Sequence, residues 1–290
     1  MQIRSDDLRA HPGEYSEYMR IPAGLESRPT SPPAATDSAG RPLATWQTRR
    51  PWLWAVLIGI GGTILTAFGV GFGQVRQLDP LSATYAQAAF VGLSALAGLA
   101  VMLWTRPSLA EYGFRSPVHL DRALGLLPLL AVPVVLVAVV GIRVTPVQAA
   151  AYCVLSLSVG FSEEIWFRGV LLATLRRLGT RTAIIGGSAV FGTLHLTNFF
   201  AGREPLYLVL QFAFACLVGF VLAELMAITG SLWIGIVWHF VYDLCALSTG
   251  DDLSPAALVG VACATAILAA YSVWLWRTLP RASTAVTAAG

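Results

Sequence analysis

Read for polarity alone, the chain divides near residue 50, with no sustained apolar period before it and long apolar runs after it. Eight of these runs approach the ~20 residues that carry a helix across a bilayer. They fall at 52–73, 84–105, 122–141, 147–175, 182–201, 205–229, 231–249 and 255–277, separated by short polar connections. A helix satisfies its own backbone in lipid, so the pattern predicts an all-α fold, a polytopic transmembrane bundle of about eight spans. The fourth run is long enough to tilt or project beyond the membrane, and Pro128 and Pro133 predict a kink in the third. The domain expectation is a disordered cytoplasmic tail over 1–50, a transmembrane domain over 51–280 and a short tail over 281–290.

Composition agrees with this pattern. Hydrophobic residues make up 56% of the chain and charged residues 12%, with a mean hydropathy of +0.67. This is the balance of an integral membrane protein. The tail is rich in Pro, Ser, Ala and Arg, and its Tyr15 and Tyr18 read as solvated residues. About fifty mostly polar residues precede the first apolar run, so no cleavable signal peptide is expected and that run stays as a span. Every basic residue is arginine and the formal net charge is +3. The arginines belong to loops and tail rather than to a basic face, which argues against nucleic-acid binding. Cys153, Cys216, Cys245 and Cys263 lie in apolar segments without zinc-site spacing and read as packing residues.

Arginine placement sets the expected orientation. With both termini in the cytoplasm, the cytoplasmic segments hold the tail arginines, then Arg106, Arg115 and Arg122, then Arg176, Arg177 and Arg181, then Arg277 and Arg281. The opposite side receives Arg76, Arg143 and Arg203. The expected location is a bacterial plasma membrane. The seventh span is the weakest, because the Thr229-Gly230 turn before it carries no charge.

Against this background, ionisable residues inside spans are the candidate chemistry, since each costs at least ~2.5–3.5 kcal/mol at mid-membrane. Glu163, Glu164 and Arg168 occupy span four. Glu164 and Arg168, four residues apart, share a helix face and can pair, while Glu163 points about 100° away. One carboxylate is thereby held ionised and the other is freer to exchange a proton. His11 falls in the tail and His119 in a loop, whereas His195 and His239 fall inside spans, one helical turn after Phe191 and before Asp243 respectively. Asp243 is placed to orient the His239 ring.

At about 1.5 Å per helical residue, Glu163 lies ~20 Å from Arg176 and His195 ~20 Å from Thr182, with His239 and Asp243 ~12 and ~18 Å into their span. Four polar side chains at one depth define a candidate site. A carboxylate with two histidines can activate water while a neighbouring donor steadies an oxyanion, which is amide hydrolysis without a covalent intermediate. Glu163, His195 and His239 are also a possible donor set for zinc or another divalent metal, but the His-Glu-x-x-His spacing is missing, so metal-free chemistry is favoured. Trp166, Phe167 and Trp238 read as bundle packing, and Gln211 and Glu224 as interhelical hydrogen-bonding groups.

The motifs Glu163-Glu-Ile-Trp-Phe-Arg168, Phe191-x-x-x-His195 and His239-x-x-x-Asp243, in that order, resemble the signature of the CPBP/Abi family. That family includes the type II CAAX prenyl-protein endopeptidases and bacteriocin-processing and immunity proteins. The resemblance covers about residues 148–247. It implies an intramembrane protease of eight-helix type with a cavity open to the cytoplasm, acting on a membrane-associated peptide or lipidated protein. It also implies Glu163 as the catalytic glutamate, His195 as its partner, His239 with Asp243 as the oxyanion-stabilising pair, and Glu164 and Arg168 as supporting residues. Asp243 departs from the pattern, since the prenyl-protein proteases commonly carry asparagine there. The alternatives are a proton-coupled transporter, against which the lack of an inverted repeat counts, and a non-catalytic immunity or scaffold membrane protein.

Overall fold

The computed structural model describes residues 50–106, 108–118, 125–250 and 252–279. The tails, with His11, Tyr15 and Tyr18, together with His119, Arg122 and Arg281, lie outside the described residues.

Among the described residues the chain is all helical, with no strand. Eight α-helices longer than one turn are present: α1 Pro51–Val75, α2 Pro80–Thr105, α3 Leu127–Val140, α4 Pro146–Glu163, α5 Thr180–His195, α6 Pro205–Thr229, α7 Trp233–Thr249 and α8 Pro255–Thr278. Proline at the first position starts α1, α2, α4, α6 and α8, where its missing N–H costs nothing and its fixed φ suits the helix. Side-chain caps reinforce three of these starts. Asp79 accepts from Leu81 N and Ser82 N, Thr145 forms a capping box with Gln148, and Ser254 accepts from Ala257 N.

Five helical segments are long and apolar enough to cross a membrane: Pro51–Val75, Pro80–Thr105, Thr180–Ala201, Pro205–Thr229 and Pro255–Thr278. They mark an integral membrane protein. The two shorter apolar helices, α3 and α7, fall below that length, and Pro128 lies at the start of α3 rather than inside it, leaving Pro133 as its internal proline.

The fourth run is not a uniform α-helix. After Glu163 the chain winds as a π-helix over Glu164–Leu171, and closes with an α-turn, Leu172–Leu175, and a 3-10 turn, Arg176–Leu178. All eight residues of the π segment are buried, because α1, α2, α4, α5 and α6 all pack against it. Around it, neighbouring helices pair in a closed circuit of α1, α2, α4, α7, α3, α8, α6 and α5. Trp166 pins the segment: its Nε1 donates to Ser94 O at 2.9 Å, and its ring fills notches where a Cβ on Gly62 or Gly98 would come within 2.8 and 3.0 Å of it.

The uncharged Thr229-Gly230 turn also has a structural reason. The turn is buried, and residues 109–118 fold over it. Arg115 Nε donates to Gly230 O at 2.8 Å and Ser231 Oγ to Arg115 O at 2.7 Å, while Leu232 N donates to Gly113 O and Val118 N to Thr229 O. The charge expected at a membrane-surface turn is brought by another loop.

Candidate active site

The π segment delivers Glu164 and Arg168 into the protein interior, where they pair at 2.9 Å with only 1% and 3% of their side chains exposed. Such a pair persists only with further partners to offset desolvation. Arg168 finds one in Phe191, whose ring centroid lies 4.3 Å from the guanidinium carbon. Glu164 finds one in His239: the same Oε1 lies 3.2 Å from Nδ1. Helix α7 comes this close because position 235 is glycine, where a Cβ would overlap the Glu164 carboxylate.

The opposite nitrogen of His239 meets two more carboxylates. Nε2 lies 3.3 Å from Glu163 Oε2 and 3.7 Å from Asp243 Oδ2. The second distance is an ion-pair contact beyond hydrogen-bond range, and Glu164 at Nδ1 adds a closer hold on the ring. A spacing of four along one helix puts Asp243 beside the ring. The two adjacent glutamates thus differ sharply, since Glu163 keeps 24% of its side chain exposed against 1% for Glu164.

His195, the last residue of α5, is anchored through Nδ1 to the carbonyl oxygen of Phe191 at 2.9 Å. A carbonyl only accepts, so Nδ1 carries the proton and Nε2 is left for other chemistry. His195 joins the cluster through Phe191, whose ring centroid lies 4.6 Å from His195 and 6.3 Å from His239. The sequence pattern marked Phe191 only as a spacing partner. Its contact with Arg168 and both histidines makes it the hub of the site, and the Phe-x-x-x-His step was the available signal.

His195, His239 and Asp243 line a cavity of about 710 Å³. Its wall also carries Gln211, which accepts from Asn198 Nδ2 at 2.9 Å, so Gln211 both bridges elements and extends the polar surface. Glu224 does not join it: it is fully buried on α6, beside Ser272 and Tyr271 of α8. Trp238 packs as expected, donating to Leu129 O at 2.8 Å and stacking on Tyr242.

The metal donor set considered from sequence is not assembled. Among the described residues no group of three His, Cys, Asp or Glu side chains is disposed to hold a metal ion. His239 has both nitrogens directed at carboxylates, and Nδ1 of His195 is held by the Phe191 carbonyl.

The cavity lies toward the end of the bundle formed by the α5–α6 and α7–α8 connections, with Arg203 and Asp252 in its wall. Helix α1 begins and α8 finishes at the other end.

A buried ion pair, two anchored imidazoles and a partly exposed carboxylate, gathered near a cavity, can pass protons between neighbouring groups. Residues 145–245 match the family model described as Type II CAAX prenyl endopeptidase Rce1-like. These residues, about a third of the chain, are similar to that family, which falls within the CPBP/Abi group. No curated protein and no solved structure matches the chain.

Proposed function

We propose that the protein is an intramembrane endopeptidase that hydrolyses a peptide bond of a membrane-associated protein or peptide with water activated by Glu163, and that its eight helices all serve as membrane spans. The observation that carries this reading is His239 held between two unlike carboxylates, Glu164 at Nδ1 and Glu163 at Nε2, on the wall of the cavity.

In this mechanism Glu163, the more exposed of the pair, takes a proton from a water as its oxygen attacks the peptide carbonyl carbon. Nε2 of His195, freed by the Nδ1 anchor, accepts a hydrogen bond from that water and fixes its approach. The carbonyl π electrons move onto oxygen, and His239, donating to Glu164 at Nδ1, donates at Nε2 to the oxyanion. Asp243 keeps company with that nitrogen rather than acting as a donor. Collapse of the tetrahedral intermediate breaks the C–N bond while Glu163 returns its proton to the departing amine. General base catalysis of this kind contributes roughly 10²–10⁴-fold and an oxyanion donor ~10²–10³-fold.

The test is mass spectrometry of new C-termini in membranes carrying the wild-type chain or Glu163→Ala. Loss of those termini with unchanged thermal unfolding is expected, and undiminished cleavage by the variant removes the assignment. Chelator treatment is expected to leave cleavage intact, because no step draws on a metal.

A further inference from the structure

The two ends of the helix bundle differ in charge and in access. Contacts identify one end: Arg115 meets the α6–α7 turn at Gly230 O, and Arg181 at the start of α5 lies over Trp276 near the end of α8. The other end is tied by Arg143 and Asp252, paired at 2.9 Å between the α3–α4 and α7–α8 connections, and by Arg143 N donating to Ser248 O. Among the described residues the first end carries Arg50, Arg106, Arg115, Arg176, Arg177, Arg181 and Arg277 against the acid Glu111. The second carries Arg76, Arg143 and Arg203 against Asp79, Glu204 and Asp252, so its described charge sums to nothing.

The cavity belongs to the second end. Its wall includes Val70 late in α1, Gln87 early in α2, Arg203 after α5, Tyr207 at the start of α6 and Asp252 before α8. Toward the first end the site is covered by the buried π segment and by the buried Thr229–Leu232 turn with residues 109–118 folded over it. Excess arginine in short loops marks the cytoplasmic side of a membrane protein.

We infer that the cavity opens on the exoplasmic face, so that the substrate is a peptide segment presented from outside the cytoplasm, not the lipidated C-terminus of a cytoplasmic protein. The inference rests on the peptidase reading for the word substrate, while the orientation stands on charge and geometry alone. The mouth suits an extended peptide: the amides of Gln87, Asn198 and Gln211 offer donors and acceptors to a backbone, and Leu210, Phe214 and Leu258 supply apolar wall.

Thiol accessibility tests it. Glu204→Cys and Gln74→Cys place exposed thiols at the cavity end, and Thr180→Cys and Leu178→Cys at the arginine-rich end. A membrane-impermeant maleimide is applied to intact cells and again after permeabilisation, with the parent chain as blank. The cavity-end variants are expected to label roughly tenfold or more above the parent in intact cells, and the arginine-end variants only after permeabilisation. The reverse pattern, or equal labelling of both ends, overturns the inference. Each end has two variants, so one misfolded protein leaves the readout in place. New C-termini mapped in parallel should fall on exoplasmic segments. Termini on cytoplasmic segments overturn the inference and leave the peptidase reading standing. Outward labelling with no new termini at all removes the peptidase reading and the substrate assignment with it.

Discussion

Glu164 and Glu224 are both buried glutamates in a helical membrane protein, with 1% and 0% of their surface exposed, yet their surroundings have little in common. Glu164 has a guanidinium at 2.9 Å and an imidazole nitrogen at 3.2 Å, next to a cavity. Glu224 lies near Ser272 and Tyr271 of α8, with no ion pair among the described residues and neither carboxylate oxygen in hydrogen-bond geometry. Burial of a carboxylate is therefore not what marks a reactive centre. The mark is a chain of charged partners that reaches a cavity, here running from Arg168 through Glu164 to His239 and Asp243 on its wall.

The largest expected contrast comes from cutting that chain. Glu164→Ala leaves the Arg168 guanidinium buried without its carboxylate, a loss on the order of 3–5 kcal/mol, read as a lower unfolding temperature together with lost cleavage. Gly235→Ala is next. Its methyl group displaces the Glu164 carboxylate, and overpacking of this kind costs about 1–3 kcal/mol; thermal unfolding and cleavage assays should both register it. Glu224→Gln keeps the shape and leaves no charged partner unpaired, so an effect under about 1 kcal/mol on stability is expected, with cleavage unchanged. A strong activity loss there would erase the contrast between the two glutamates.

The smallest effect lies at the membrane surface. The side chain and backbone N–H of Ser82 hold the exposed Asp79 carboxyl below the usual carboxylate range. Its folded-state value being lowered, its contribution is present above the unfolded value of about 4 and fades as pH falls through the folded one. Asp79→Ala should lower the unfolding temperature slightly at neutral pH and not at all in strong acid.

The spans most legible in the sequence were those with the longest uninterrupted apolar runs. Helices α1, α6 and α8 begin and end within two residues of the expected limits, α5 stops at His195 and reaches its limit only through a 3-10 continuation, Leu196–Ala201, and α2 starts four residues early because Asp79 and Pro80 form its cap. The Glu164–Arg168 pair was equally legible, since a spacing of four nearly closes a helical turn. The π winding that carries it was not, because Glu-Ile-Trp-Phe-Arg-Gly-Val-Leu has no local period that distinguishes it, and packing on every side holds it. Nor was the Glu164–His239 contact legible, which crosses seventy-five residues and depends on the missing side chain of Gly235. The end of the bundle at which the cavity lies followed only from which residues line it.

Helix α3 has fourteen residues, a rise of about 21 Å beside a hydrocarbon layer of roughly 30 Å. Its flank turns Leu130 and Val134 outward, and lipid tails meeting so short a wall must tilt or shorten there. In the proposed reading, in which α3 spans the membrane, the bilayer is drawn thinner along that side of the molecule, and the headgroups there come nearer to the helix ends than elsewhere around the perimeter.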